Sequence, residues 1–570
     1  MGCKSEEKIS RGDAVSLFKR KNIFIFLVSI YVLTVLVTWL YHYHSDVMKN
    51  AYLVNDDSLQ QIFIFYKVGN KPFSEVSTIA RYYLDCFPVG FKSLYQISVT
   101  LGIDPVYFSK ILSAFLFFTT LTVGAILGLK KAGIGGLTFM FTAIFVFEGF
   151  FERMAGGLPR AFAYPLTFLF AYGALSGKLI PLAIALILSV LFYPPLAPFF
   201  GIYLGLALLI PTKLGFLDII KWTWQKRIYF YVGVMLICFV LIFPAVRSSM
   251  SWGPMLDRKE LKTIPEMSLN GRYEVLDRTP PPSFFQVVDV VRHRVFTLFN
   301  RPQGKGQIHV TGRYGILFLL LCFLPWFICR RDNVLPLTTL WITVMFLYAI
   351  SSLAYPKLYI PTRLVRYVMP MLFLAGVTLV IGESKHFISR FRTGKYVTTG
   401  VICLVMIIGL IYAPSPRKGF PYDFKSIAPL YDTIRKLPTD IMIVGWPDPV
   451  LDAVPLFGHR PILAGYETYQ LFHKRYFFYV RERMGDTIKF LFTYNKEELK
   501  LFKEKYGISH VLLPSRIYQE CNSLSIFSPF TEETRTLCQR NKNPIIRSLN
   551  EKHTIWSGSG YILKELKDDD

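Results

Sequence analysis

The chain has 570 residues, 52% of them hydrophobic and only 18% charged, with a mean hydropathy of +0.37. Soluble domains carry about 25% charged residues, so a disordered, collagenous or disulfide-dense chain is excluded, and a soluble enzyme nearly so. The net charge of +25 would suggest nucleic acid in a soluble protein, but residues 1–413 hold 41 basic and 20 acidic residues against 23 and 19 in 414–570. The excess therefore lies between apolar segments, where it orients a membrane protein. Membrane lipids are the expected surroundings, and no nucleic acid is expected as a partner.

A span needs roughly 20 apolar residues. Segments of that kind predict helices at 23–41, 106–128, 134–151, 160–176, 179–194, 196–210, 228–246, 313–329, 334–354, 364–382 and 396–412. That makes about eleven spans, with 179–210 open between two short spans and a re-entrant hairpin around Tyr193-Pro194-Pro195. Basic residues precede the first span and then recur in every second short connection (Lys130-Lys131, Lys178, Lys226-Arg227, Arg330-Arg331, Arg390 with Arg392). This positive-inside alternation predicts a cytoplasmic N-terminus and an extracytoplasmic 414–570. The first span lacks a small-residue cleavage site and reads as an uncleaved anchor. No Asn-x-Ser/Thr sequon occurs, which points to a bacterial inner or plasma membrane rather than a secretory pathway.

The first outer loop, 42–105, carries Asn55-Asp56-Asp57 ahead of the apolar run Ile62-Phe63-Ile64-Phe65. Two neighbouring carboxylates raise each other's pKa and need compensation by a cation, a metal or hydrogen bonds. The bland alternative is an N-cap for a helix at 58–68. At the outer end of the third and fourth spans stand Glu148, Glu152, Arg153 and Arg160, candidates for lining a substrate cavity. Glu148 and Glu152 share a helix face at i,i+4, which is unfavourable unless a cation intervenes; interfacial snorkelling with a local ion pair is the other reading. The second large outer loop, 247–312, carries ten basic residues, and its Thr279-Pro280-Pro281-Pro282 run argues against a regular helix there. Beyond it come Lys357, Arg363 and Arg366, the last two i,i+3 neighbours at headgroup depth that could grip a phosphate bidentately or simply snorkel.

Pro414-Ser415-Pro416 ends the last span and opens the tail. Helical spacing at 423–437, 471–484 and 496–506 alternates with apolar runs at 441–445, 461–464 and 509–513, and Tyr561-Ile562-Leu563 makes a last strand. The expected architecture is a polytopic α-helical domain over 1–413 and an extracytoplasmic α/β domain over 414–570. His459, Arg460, His473 and Arg475 read as surface charge. Cys521 and Cys538 are placed where a disulfide could persist, worth about 3 kcal/mol if it closes. No His/Cys cluster has zinc spacing.

A cytoplasmic N-terminus, an acid pair in the first outer loop, many spans and an extracytoplasmic α/β tail together resemble the GT-C superfamily of integral-membrane glycosyltransferases. Asn55-Asp56-Asp57-Ser58 resembles the Asp-Glu or Asp-Asp element of bacterial relatives of protein mannosyltransferases and aminoarabinose transferases, with Asp in place of Glu at the second position. Pro361-Thr362-Arg363-Leu364-Val365-Arg366-Tyr367 is similar to the later arginine-bearing helix start that holds the lipid phosphate. The resemblance implies Asp56 as catalytic base, with Asp57 orienting the acceptor or helping to hold a divalent metal; no other cofactor is implied. It implies Arg363 and Arg366, with Lys357 and Arg160, as donor-phosphate contacts. The expected activity is inverting transfer of a sugar from a polyprenyl-phosphate donor to an envelope acceptor on the extracytoplasmic face. A transporter or flippase of a lipid-linked or anionic substrate is the alternative, although no internal repeat is evident. A structural or assembly protein whose outer domain recruits partners is a third.

Overall fold

The computed structural model describes residues 11–268, 270–273, 324–354, 361–388, 394–519, 521–540, 544–549 and 553–567. Ten of the eleven predicted spans fall on helices; the eleventh, 313–329, lies largely outside the described residues, as does the Thr279–Pro282 run. Among the described residues, five helices are long and apolar enough to cross a membrane: Asn22–Met48, Pro105–Val146, Trp224–Met250, Arg331–Leu353 and Val365–Ser384. Large apolar side chains stay exposed on them, including Phe26, Leu33, Leu236 and Phe239, which is the pattern of lipid contact. The two predicted spans 106–128 and 134–151 are separate helices within Pro105–Val146, which fold back on each other at Gly133, whose φ of 66° and ψ of −150° are barred to most residues. Across that break Gly128 and Gly136 touch so closely that a Cβ on Gly128 would lie 2.2 Å from the Gly136 carbonyl oxygen.

The 179–210 segment forms Leu179–Phe192 and Ala197–Leu209, of 14 and 13 residues, joined by a 3₁₀ turn at Pro194–Leu196. At about 1.5 Å per residue each reaches ~20 Å, short of the ~30 Å hydrocarbon core. The helix Pro361–Ile388 lies at the centre, packed on Pro105–Val146, Ala163–Ser176 and Arg331–Leu353. Its buried Tyr367 meets Tyr164 and Tyr193 edge-on, with ring centroids 5.4 and 5.5 Å apart.

The tail carries a four-stranded mixed sheet in the order Met442–Gly445, Ile508–Pro514, Tyr561–Glu565, Thr554–Gly558, with only the first pair parallel. Helices Ala428–Lys436, Lys474–Phe492, Lys496–Tyr506 and Phe530–Arg540 flank it. The run 461–464 makes one parallel bridge, Ile443 to Ile462, rather than a strand. Phe530–Arg540 and Thr554–Gly558 are elements the sequence reading lacked. Cys521 and Cys538 are joined by a disulfide. Arg460 corrects the surface-charge expectation: it is buried, and its guanidinium donates to the carbonyls of Arg435 and Pro438, both at 2.8 Å, of His459 at 2.9 Å, and of Leu437. His473 likewise meets the Tyr82 hydroxyl, 3.1 Å away.

The tail is stitched to both outer loops. Leu53–Val54 of the first loop pairs antiparallel with Tyr422–Asp423. Tyr82 stacks on Tyr476 at 3.5 Å between centroids, and the Arg475 amide donates to the Trp252 carbonyl at 3.0 Å.

Candidate functional site

The predicted helix at 58–68 is reduced to one turn, Ser58–Gln61, followed by a 3₁₀ turn at Phe63–Phe65. Its capping position is Asp57, which has helical φ/ψ and makes no side-chain cap bond; of the Asn and Asp residues that could cap it, Asn55 is the one whose side chain accepts a backbone amide here. The helix is short because of burial: Leu59, Ile62, Phe63 and Ile64 all point into the core, which a longer helix could not arrange. The turn is fixed instead by Asn55, itself buried. Its amide donates to the Gly419 carbonyl at 2.8 Å, and its Oδ1 accepts from Arg160 Nη2 at 2.7 Å and from the Asp57 amide at 3.3 Å. Gly156, at φ +89°, leaves room for this turn, since a Cβ there would lie 2.9 Å from Ser58 Oγ and 3.0 Å from Asn55 Cβ.

Arg160 enters on the 3₁₀ turn Pro159–Phe162 and is the cation that compensates the two acids. Nη2 lies 3.3 Å from Asp56 Oδ1, and Nη1 pairs with Asp57 Oδ2. The two acids are held differently. The Asp57 side chain is 22% exposed and also accepts from Gln60 Nε2 at 2.8 Å, while that of Asp56 is 48% exposed and keeps its other oxygen without a protein partner among the described residues. Arg160 was expected to contact donor phosphate; its terminal nitrogens are instead taken by Asn55, Asp56 and Asp57.

The site extends into the tail, which the sequence did not signal. Gln60 Nε2 also lies 3.5 Å from Glu467 Oε2, and Gln60 Oε1 accepts from Tyr83 OH at 2.8 Å and Gln470 Nε2 at 2.9 Å. Glu467 pairs with Arg272 of the second outer loop at 3.3 Å, and its amide donates to Asp452 Oδ2 at 3.0 Å. Burial pushes the Glu467 carboxyl above its ordinary value; Arg272 pulls it back, while Asp57 and Asp56 push it further up as like charges. Burial and then Glu467 hold Asp452 well above the usual carboxylate range.

Arg363 and Arg366 stand half-buried near the start of Pro361–Ile388. Arg363 and Tyr367 lie within electrostatic reach of Arg160. Lys357 lies outside the described residues. Glu148 and Glu152 lie on the helix Glu148–Met154: Lys418 of the tail reaches Glu148 at 2.5 Å, while burial and then Glu148 raise the Glu152 carboxyl against the opposing pull of Arg153 and Lys418. The positive charge that the i,i+4 pair needs thus comes from Arg153 on the same helix and from Lys418, 270 residues from Glu148. Among the described residues, no three His, Cys, Asp or Glu side chains converge as a metal-holding group. The charge facing Asp56 and Asp57 is the Arg160 guanidinium.

No known family profile matches the chain, and no curated protein does. Solved structures with a similar fold include ArnT from Cupriavidus metallidurans bound to undecaprenyl phosphate, at 12% identity and TM-score 0.47, covering 95% of this chain and 98% of that one. The Archaeoglobus fulgidus oligosaccharyltransferase in complex with Zn and sulfate matches at 11% identity and TM-score 0.46, covering 86% and 68%. The archaeal oligosaccharyltransferase AglB from Archaeoglobus fulgidus, with an inhibitory peptide and a dolichol-phosphate, matches at 10% and 0.46, covering 95% and 74%. At such identities and scores the likeness assigns no residue a role.

Proposed function

We propose that the chain is an inverting membrane glycosyltransferase that moves a sugar from a polyprenyl-phosphate donor to an envelope acceptor on the extracytoplasmic face. The observation that carries this reading is the unequal holding of the acid pair. Asp57 is anchored by Arg160 and Gln60, whereas Asp56 is half-exposed, held through one oxygen, and has a second oxygen open. That is the state a general base needs: positioned and able to accept.

The acceptor hydroxyl oxygen attacks C1 of the sugar as its proton passes to Asp56. The C1–O bond to phosphate breaks with its electron pair going to the phosphate, and one displacement inverts C1. Arg363, within electrostatic reach of Arg160, supplies positive charge to the departing phosphate, with Arg366 on the same helix start. Asp57, immobilised by Arg160, orients the acceptor side of the site.

The test uses the full chain in lipid nanodiscs with a panel of undecaprenyl-phosphate sugars, following release of undecaprenyl phosphate. Asp56→Asn keeps the side chain's size and removes the base, so turnover falls by about two to four orders of magnitude while donor binding persists. Full turnover in Asp56→Asn would end the base assignment, and no release from any donor by the parent chain would end the reading.

A further inference from the structure

Arg272 is the cation of the site that the reaction above leaves unused. Its side chain is 9% exposed, and its guanidinium lies over the Tyr466 ring at 4.1 Å from Cζ to centroid. Nη2 is 3.3 Å from Glu467 Oε2 and 3.5 Å from the Glu467 carbonyl, while Nη1 is buried with no protein acceptor among the described residues. A buried guanidinium N–H is seldom left unsatisfied, so a ligand atom or a water completes it. Glu467 meanwhile shares the Gln60 amide nitrogen with Asp57, at 3.5 and 2.8 Å, which limits the separation of the two carboxylate oxygens to the sum of those distances. That separation is within the span of one sugar ring.

The chemistry of the couple narrows the ligand. A phosphate or carboxylate at Nη1 would face Glu467, with Asp57 and Asp56 behind it. An ammonium would face Arg272. A hydroxyl suits both, because it donates to the carboxylate and accepts from the guanidinium. Vicinal hydroxyls would fill the fork, and Tyr466 and Phe527, whose rings are 5.6 Å apart, give it an aromatic wall.

We propose that Arg272, Glu467 and Tyr466 form a subsite for the neutral, polyhydroxylated sugar ring of the lipid-linked donor, beside the Asp56–Asp57 pair. The proposal rests on the glycosyltransferase reading and adds where its sugar is recognised. The side chains come from the second outer loop and from the tail, so the sugar is read where those two segments close over the first loop. Neutral hexosyl donors are favoured over donors carrying an amino or a carboxylate group on the ring.

The experiment compares binding of undecaprenyl-phosphate hexose with that of undecaprenyl phosphate alone, on the full chain in nanodiscs. The parent chain binds the hexosyl lipid more tightly than the bare lipid. Glu467→Gln and Arg272→Met each lose about tenfold in affinity for the hexosyl lipid, about 1.4 kcal/mol, with the bare lipid unchanged. Glu467→Gln, which keeps shape and hydrogen-bonding size, guards against misfolding and should unfold at the parent's temperature. An unchanged preference in both variants assigns Nη1 to water and overturns the subsite. An equal loss for both lipids overturns it as well, since the effect is then general. Failure of the parent chain to bind either lipid strikes the glycosyltransferase reading itself, and the subsite with it.

Discussion

The unequal holding of Asp56 and Asp57 can be measured as two coupling energies to one guanidinium. The perturbation is Arg160→Met, combined in separate cycles with Asp57→Asn and with Asp56→Asn. Arg160 and Asp57 are 13% and 22% exposed in their side chains. Removing one partner of a buried pair costs about 3–5 kcal/mol, most of it the stranded charge, and partial exposure puts the Arg160–Asp57 coupling near 2–3 kcal/mol. Asp56 is 48% exposed with a single 3.3 Å contact. Coulomb attraction at that distance is about 1 kcal/mol in water-like surroundings, and exposed pairs measure about 0–1 kcal/mol net. The Arg160–Asp56 coupling should therefore be about 0.5 kcal/mol.

Arg160→Met alone also removes the 2.7 Å bond to Asn55. That loss occurs on both legs of each cycle and cancels, leaving the pairwise energy. The assay is SDS-induced unfolding in mixed micelles followed by tryptophan fluorescence. A coupling to Asp56 equal to or larger than that to Asp57 would refute the reasoning. It would mean that Asp56 is the anchor and Asp57 the open carboxylate, and the base assignment would move by one residue.

Arg363→Ala and Arg366→Ala should weaken binding of undecaprenyl phosphate as well as turnover, with Lys substitutions recovering little of a bidentate contact; undiminished lipid binding in both would leave them as interfacial anchors. For Asp452, whose carboxyl is raised in the fold, the native state holds a proton that the unfolded chain has released, so this group's contribution to stability is full below the ordinary carboxylate range and falls as pH rises toward the shifted value. Asp452→Asn should remove that part of the slope and leave the chain relatively more stable at neutral pH, read from unfolding temperatures between pH 4 and pH 8; an unchanged slope would mean that Asp452 is not the group titrating.

The spans were legible because a bilayer imposes one strong requirement, a run of apolar residues of fixed length. Their boundaries were less so. Lys130-Lys131 marked the break between the second and third spans, which falls at Gly133, but the end predicted at 151 runs past Val146 into the separate helix Glu148–Met154. In the tail, periodicity found Met442–Gly445 and Ile508–Pro514, whose residues are mostly buried, and missed Thr554–Gly558, whose residues are half-covered or exposed. A short edge strand that is only half-covered, with Ile555 and Trp556 side by side, has little alternating apolar signature to read. Arg460 misled for the opposite reason: charge predicts exposure only when no cluster of carbonyls awaits it, and four orphan carbonyls at 435–459 cannot be seen in a sequence.

Within the site, the acid pair was visible because two neighbouring carboxylates are expensive wherever they sit, and that cost is local. What offsets the cost was visible only in part. Arg160 stood out as a charge at a helix start, but nothing in the chain says that it faces residues 104 positions earlier rather than a phosphate. Gln60 stood three residues from Asp57 on a predicted helix, a spacing at which side chains meet, and could have been found that way. Glu467 and Arg272 could not, since their link to the acids runs through Gln60 across 407 positions and depends on how two outer loops and the tail close together. This division follows chemical role. The acid pair can be recognised from neighbouring residues because its cost is set there. The contacts that would tell one sugar from another are assembled from distant segments, so each can change without disturbing the acids, and a chain with the same Asp56-Asp57 turn but another residue at 467 should keep the chemistry and change the sugar.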